Sequence, residues 1–233
     1  MHQEQEETRR LTRREKRLLR QKGKPTENLQ EKFNFKLKHF EPLTQNQRYA
    51  FESFDEDKNL MFHGIAGTGK SFMAMYLSLR QILNDHESPY KRIVIVRTVV
   101  PTRDMGFLPG NTKEKTKVYE APYYAICTEL FGRGDSYEYL KSKNLIEFIS
   151  TSFIRGITLN DCIVIVDEMQ NATLHELDSV ITRIGHNCKV IFCGDFRQSE
   201  FVKEHDRNGL GDFMRVVKNM KSFDLIEFEA QDI

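Results

Sequence analysis

Gly64-Ile65-Ala66-Gly67-Thr68-Gly69-Lys70-Ser71 is the stretch on which the reading of this chain turns. It follows a short apolar run, Leu60-Met61-Phe62, and opens a helix-like run, Phe72-Met73-Ala74-Met75-Tyr76-Leu77. Strand, glycine-rich loop and helix form the setting a phosphate-binding loop requires. Glycines let the backbone wrap a polyphosphate closely with its N–H groups pointing inward. The helix N-terminus adds partial positive charge. Lys70 can reach the β- and γ-phosphates of a nucleoside triphosphate, and the Ser71 hydroxyl can ligate magnesium. The candidate cofactor-binding residues here are Gly64, Ile65, Ala66, Gly67, Thr68, Gly69, Lys70, Ser71 and Phe72, with ATP and Mg2+ as the expected ligands.

A second motif, Ile163-Val164-Ile165-Val166-Asp167-Glu168, reads as a strand buried on both faces and ending in two carboxylates. Asp167, with Ser71, is the candidate metal ligand. Glu168 is placed to take a proton from an attacking water. An apolar run ending in Asp-Glu is common by itself; paired with the phosphate loop it points to triphosphate hydrolysis. The interval between the motifs has room for two further strand–helix units, and Arg92–Arg97 and Leu145–Ile149 are the candidate strands. A strand inserted between the two motif-bearing strands, plus a glutamate after the aspartate, resembles the RecA-like branch of P-loop ATPases. The expected fold is three-layer α/β with a mostly parallel sheet.

The 233 residues suit one globular domain, with 39% hydrophobic and 30% charged residues. No apolar stretch approaches the roughly 18 residues of a membrane helix, and the charged N-terminus is no secretory signal. No membrane role and a cytoplasmic location are the expectation. Cys127, Cys162, Cys188 and Cys193 form no Cys-x-x-Cys pair and read as buried thiols of a reducing compartment.

Charge is uneven along the chain: residues 1–40 carry a balance of +6 and the remainder −5. Arg9, Arg10, Arg13, Arg14, Lys16, Arg17, Arg20, Lys22 and Lys24 make a dense basic cluster interleaved with Leu11, Leu18 and Leu19. It reads either as an arm that tracks a phosphate backbone or as a solvated, partly disordered tail. We divide the chain into this basic extension, 1–40, and an ATPase domain, 41–233.

Within the domain, Phe33–Leu37 alternates like an edge strand. Thr44 is a candidate N-cap, with Gln47 three residues on, for a helix to about Phe54. The phosphate-loop helix runs to about Leu83. A strand at 93–97 is followed by an irregular stretch, 98–120, holding Pro101, Gly106, Pro109 and Gly110. Helices near 120–131 and 136–142 precede the strand at 145–149. A helix near 173–183, a strand at Lys189–Cys193, a helix near 210–220 and a strand near 223–228 complete the order.

With the motifs placed, residues 42–229 resemble the PhoH-like family of ATPases, whose domains are similar to superfamily 1 helicase motor cores. The strings that carry the resemblance are the phosphate loop, Gly106-Phe107-Leu108-Pro109-Gly110, Phe153-Ile154-Arg155-Gly156, Val166-Asp167-Glu168-Met169-Gln170-Asn171, Thr182-Arg183-Ile184-Gly185 and Gly194-Asp195-Phe196-Arg197-Gln198. The small size resembles a bacteriophage-type member. The resemblance implies that Gln47 reads the adenine edge, that Gln198 senses the γ-phosphate, and that Glu168, Lys70 and Gln198 are the catalytic set. It implies single-stranded nucleic acid, RNA or DNA, at Phe107 and Lys113, with Arg97 and Arg155 as further contacts. Related sequences continue beyond Ile233 into a segment bearing an arginine suited to stabilising transition-state charge. Within this chain Arg183, Arg155 and Arg97 are the candidates for that role.

The implied function is a magnesium-dependent ATPase coupled to single-stranded nucleic acid, RNA in the first place. One RecA-like unit cannot grip a strand alternately by itself, so motor action implies a homo-oligomer, a hexameric ring being one form. The alternative is a nucleotide-gated binding switch with slow hydrolysis and no motor activity. A small-molecule kinase is a third, weaker reading, which the helicase-like Gln170, Asn171 and Gln198 disfavour.

Overall fold

The computed structural model describes residues 36–85, 87–98, 112–195 and 204–232. Six strands, β1 (Asn59–Gly64), β2 (Arg92–Arg97), β3 (Ile146–Ser150), β4 (Cys162–Asp167), β5 (Cys188–Gly194) and β6 (Phe223–Phe228), form one sheet in the order β3-β2-β4-β5-β1-β6. Every pairing in it is parallel. The helices are α1 (Gln45–Asp55), α2 (Lys70–Asn84), α3 (Thr112–Phe131), α4 (Ser136–Ser142), α5 (Leu174–Ile181) and α6 (Glu204–Lys218). This is a three-layer, RecA-like α/β fold.

The continuous apolar strands explain the layering. Successive strand residues point to opposite faces, and β2 and β4 sort their side chains by that rule. Ile93, Ile95, Ile163 and Ile165 enter the core beneath α1 to α4. Val94, Val96, Val164 and Val166 enter the core shared with α5 and α6. All six β4 residues are buried. Each such aliphatic side chain contributes about 1.5–3 kcal/mol on burial, so the strand carrying Asp167 is held rigidly from both sides.

Between the motif-bearing strands β1 and β4 lies β5, which follows both of them in the chain. The two strands that separate the motifs in sequence, β2 and β3, lie on the far side of β4. The carboxyl ends of β1, β4 and β5 therefore converge, bringing Gly64, Asp167 and Gly194 to one edge of the sheet.

Three sequence expectations change. Lys36 and Leu37 belong to no strand, and the rest of the expected edge strand lies outside the described residues. Helix α3 begins at Thr112 rather than near 120. Its turn-forming Gly and Pro residues all precede Thr112, and Pro122, a favoured residue at a helix start, sits inside α3, where it forgoes one backbone hydrogen bond. Helix α6 starts at Glu204 rather than near 210. Thr44 caps α1, its side chain accepting from the Gln47 N–H at 3.2 Å. Among the described residues no helix is long and apolar enough to cross a membrane. The four cysteines are free thiols, Cys188 half-buried and the others buried.

Candidate nucleotide site

The loop after β1 is shaped by its glycines. Gly64 has φ +141°, and a Cβ there would fall 1.9 Å from the Phe228 carbonyl oxygen on β6. Only glycine lets the two strands close at that point. Gly67, at φ +85°, has nothing within 4 Å of a would-be Cβ. Its backbone thus faces open space and is available to a ligand. Helix α2 then presents its N-terminus to the loop from Lys70 onward.

The Lys70 ammonium donates to the carbonyls of Gly64 (2.8 Å) and Ile65 (2.6 Å) and to Thr68 Oγ1 (3.3 Å). Burial lowers its pKa below the ordinary lysine value; Cys193, Asp195, Glu168 and Asp167 nearby work the other way. The Ser71 hydroxyl donates to Asp167 Oδ1 at 2.8 Å, and the Glu168 N–H donates to the same oxygen at 3.0 Å. The Tyr123 hydroxyl, on α3, donates to Asp167 Oδ2 at 2.7 Å. Tyr123 is fully buried, and burial together with Asp167 pushes its phenol far above the usual value, so it stays a donor.

Glu168 adopts a left-handed backbone, φ 53°. That conformation is uncommon outside glycine and collects at functional positions. Its carboxylate accepts from Gln170 Nε2 and lies 3.9 Å from Arg97 Nη2. Gln170 turns its oxygen to the Asp195 N–H at 3.0 Å, tying the ends of β4 and β5. Arg97 also donates to the Tyr119 carbonyl at 3.3 Å and lies over the Tyr119 ring.

Lys70, Ser71, Asp167, Glu168, Gln170 and Ile126 are among the residues that line a cavity of about 350 Å³. A second cavity, about 410 Å³ and more apolar, adjoins it across Gly67, Gly69 and Phe72. Its walls include Phe40, Gln47, Phe51, Tyr76 and Asp232. Phe40 is pinned there, packing edge-on against Phe72 and Tyr76 and donating its N–H to the Tyr76 hydroxyl at 3.1 Å. The Gln47 amide accepts from the Leu43 N–H at 2.7 Å and donates to the Asp232 carbonyl at 3.3 Å.

The donor set fits the expected ligands. A hydroxyl and a carboxylate are hard oxygen ligands of the kind magnesium shares with substrate phosphates and water. The open backbone at Gly67 and the α2 N-terminus suit phosphate oxygens. Among the described residues no cluster of three or more His, Cys, Asp or Glu could hold a metal by itself; an ion on Ser71 and Asp167 would take its other ligands from water and phosphate oxygens.

The fold thus gathers Gly64 to Phe72, Asp167 and Glu168 at one edge, with Gln47 in the adjoining cavity. Arg97, expected at nucleic acid, sits against Glu168. Arg155 is exposed, its Nη2 2.7 Å from His175 Nε2 on α5. Arg183 lies at the opposite end of the sheet: its carbonyl accepts from Leu159, ahead of β4. A β4-length strand, roughly 17 Å, separates it from Asp167, so it cannot complete its own chain's site. Phe107 and Gln198 lie outside the described residues, and of Lys113 only the backbone, in α3, is described. Tyr123, Phe40, Phe51 and Tyr76 escaped the sequence reading. Tyr119 and Tyr123, spaced i, i+4 with Ile126 next on the same face, were the available hint.

The family model for PhoH-like proteins matches residues 39–233. The PhoH-like protein of Bacillus subtilis (strain 168) is 31% identical over 201 residues, covering 86% of this chain and 61% of the relative. Protein PhoH of Escherichia coli (strain K12) is 28% identical over 180 residues, covering 76% of this chain and 50% of that protein. The chain therefore spans about half to three-fifths of these relatives. Among solved structures, the large terminase of the thermophilic bacteriophage D6E aligns with TM-score 0.46 and 10% identity over 82% of this chain and 47% of that one. The Pif1 helicase of Candida albicans aligns with TM-score 0.38 and 15% identity over 81% and 40%.

Proposed function

The chain belongs to the PhoH-like protein family, and we propose that it binds ATP with a divalent cation, hydrolyses it, and couples turnover to single-stranded nucleic acid. The observation that carries the reading is the meeting of Ser71 and Asp167 at 2.8 Å in the cavity that also holds Lys70 and Glu168. In this reading the triphosphate lies along the loop from Gly64 to Ser71, and the base enters the aromatic cavity beside Gln47. Gln47 would exchange its bonds to Leu43 and Asp232 for the adenine edge, which an amide can meet with one donor and one acceptor.

Lys70 would turn from the loop carbonyls to the β- and γ-phosphate oxygens, trading dipoles for full negative charges. Magnesium held by Ser71 and Asp167 would supply charge neutralisation on the phosphates. Glu168 would accept the proton of a water whose oxygen attacks the γ-phosphorus. The bond to the bridging oxygen breaks, and its electron pair leaves with ADP. The nucleic-acid half of the proposal rests on the basic cluster Arg9–Lys24 and the Gly106–Gly110 string. A homo-oligomer, with an arginine of a neighbouring copy completing each site, would supply the second grip that one unit lacks.

One observation favours the alternative of a nucleotide-gated switch with slow hydrolysis. The Glu168 carboxylate is engaged by Gln170 and faced by Arg97, which restrains the proposed base. Phosphate release measured with and without an oligouridine strand separates the two, since a motor accelerates markedly and a switch need not. Lys70→Ala is expected to abolish tight ATP binding. Glu168→Gln is expected to bind ATP while turnover falls about 10²–10⁴-fold. Undiminished turnover by Glu168→Gln would remove the base assignment, and no ATP uptake by the parent chain in magnesium would overturn the reading as a whole.

A further inference from the structure

We infer that Tyr123 is a positioning residue for the cation site, aiming Asp167 Oδ1 at the metal by holding Oδ2 from behind. The inference rests on the ATPase reading above and names a group that no phosphate-loop pattern contains.

The carboxylate of Asp167 is bracketed by three donors. Ser71 Oγ and the Glu168 N–H share Oδ1, and Tyr123 alone among the described residues serves Oδ2. These donors differ in what cation binding does to them. A cation on Ser71 Oγ takes an oxygen lone pair and needs the hydroxyl proton turned away, so the Ser71–Asp167 bond is weakened by the event it prepares. The Glu168 N–H competes for the same oxygen as the cation. The Tyr123 bond lies on the opposite oxygen and is compatible with a cation on Oδ1. It is thus the contact able to hold the carboxylate's rotation fixed through binding.

The geometry suits such a task better than plain packing. Tyr123 is 0% exposed, its ring is 6.0 Å from that of Phe148, and α3 fixes its backbone. A buried phenol needs one acceptor, and most side-chain hydrogen bonds in proteins reach backbone or water rather than another side chain. Here the partner is the carboxylate opposite the phosphate loop, so the bond is charge-assisted. Contacts behind metal ligands, orienting them through the atom they leave free, commonly shift metal affinity 10–100-fold.

The same helix layer holds a matched control. Tyr137, also fully buried, donates its hydroxyl to Glu120 Oε2 at 2.8 Å, and Glu120 is 5% exposed. Tyr123→Phe and Tyr137→Phe each delete one hydroxyl and one buried charge-assisted bond while keeping the ring. They carry a comparable structural cost, but only one of them touches Asp167.

The test is titration of Mn2+, followed by electron paramagnetic resonance of the free ion, against the full chain with a non-hydrolysable ATP analogue. Fluorescent-nucleotide binding in EDTA is measured in parallel. Tyr123→Phe is expected to raise the Mn2+ dissociation constant about tenfold or more, leaving metal-free nucleotide affinity within about twofold, on the same reasoning. Tyr137→Phe is expected to leave both unchanged. Equal Mn2+ affinities for the parent and Tyr123→Phe, or equal losses in the two variants, would overturn the assignment while leaving the ATPase reading standing. A parent chain whose nucleotide binding takes up no Mn2+ would overturn the cation site and Tyr123's place in it together.

Discussion

Two glycines of one loop should fail in opposite ways when given a methyl group. Alanine at Gly64 would meet the Phe228 carbonyl oxygen at 1.9 Å and carbon at 2.8 Å, with φ at +141°. Relief needs the strands to part by more than about 1 Å, since real Cβ contacts stay beyond 3.0 Å. That moves the end of a six-pair register, from Asn59↔Phe223 to Gly64↔Phe228. It also disturbs Phe228, which is 1% exposed and packs edge-on against Phe62 at 5.3 Å. Backbone strain of about 1–3 kcal/mol and overpacking of about 1–3 kcal/mol give a loss of about 2–6 kcal/mol. That is a large share of the roughly 5–15 kcal/mol that holds a typical domain folded. Alanine at Gly67 meets nothing within 4 Å, so its cost is the left-handed strain alone, about 1–2 kcal/mol. Gly67 borders both cavities, so in the proposed reading the added methyl would occupy space taken by the phosphates, and nucleotide affinity should fall at least about tenfold, the scale of one or two lost backbone contacts. Urea unfolding followed by far-ultraviolet circular dichroism, with fluorescent-ATP titration, reads both effects. A Gly64→Ala chain within about 1 kcal/mol of the parent, or a Gly67→Ala chain losing as much stability, would refute the reasoning.

Further outcomes are expected at two other sites. Lys189 is 3% exposed, donates to the Phe54 carbonyl at 2.7 Å, and meets Asp57, 76% exposed, at 3.0 Å. Burial opposes ionisation of both. Hydrogen bonds from Lys189 and Tyr90 still bring Asp57 below 3.8, whereas burial wins at Lys189 and keeps its pKa below 10.5. Asp57→Asn strands a buried ammonium and should cost about 1–3 kcal/mol, discounted from the fully buried case because Asp57 faces water; Lys189→Met should cost less than about 1 kcal/mol. Because Asp57's folded pKa is depressed, its contribution is present above pH 3.8 and fades as pH falls through the lower folded value. Denaturant midpoints at pH 7 and pH 3 should therefore differ less in Asp57→Asn than in the parent; an equal acid sensitivity would contradict this. Arg97→Gln removes a partly exposed pairing with Glu168, worth at most about 1 kcal/mol, and should raise unstimulated phosphate release by up to about fivefold. A fall in that rate would instead place Arg97 among groups that assist the reaction.

The legible part of this protein is the part written in consecutive residues. The phosphate loop is a strand end, a turn and a helix start within a dozen positions, and Asp167-Glu168 directly terminates an apolar strand. Both follow from period, apolar runs and turn chemistry. The order of strands in space does not. Nothing local in Lys189–Cys193 shows that β5 inserts between β1 and β4. The start of α3 is masked in sequence by Pro101, Gly106, Pro109 and Gly110, whose turn signal makes the residues just after them read as irregular, whereas the helix begins at Thr112. The aromatic cavity escaped because its walls come from six places: the segment before α1, α1 itself, the loop after β1, α2, Glu129 of α3 and the turn after β6.

Tyr123 shows most clearly why site chemistry is harder to read than fold. In sequence it is one of two adjacent tyrosines after a proline, and Tyr124 pairs instead with Glu138 at the surface. A shift of one residue rotates a helical side chain by about 100°, enough to carry a phenol from solvent to the carboxylate beneath the phosphate loop. The packing of α3 on β4 makes that choice: Tyr123 and Cys127 enter the core with Ile163 and Ile165, and Tyr124 stays at its rim. The apolar pattern that buries α3 therefore also selects which hydroxyl reaches Asp167. A test that exchanges the two tyrosines for phenylalanine one at a time separates these levels. Tyr124→Phe should leave Mn2+ affinity intact, and Tyr123→Phe should not; equal affinities would mean that α3 contributes packing to this site and nothing more.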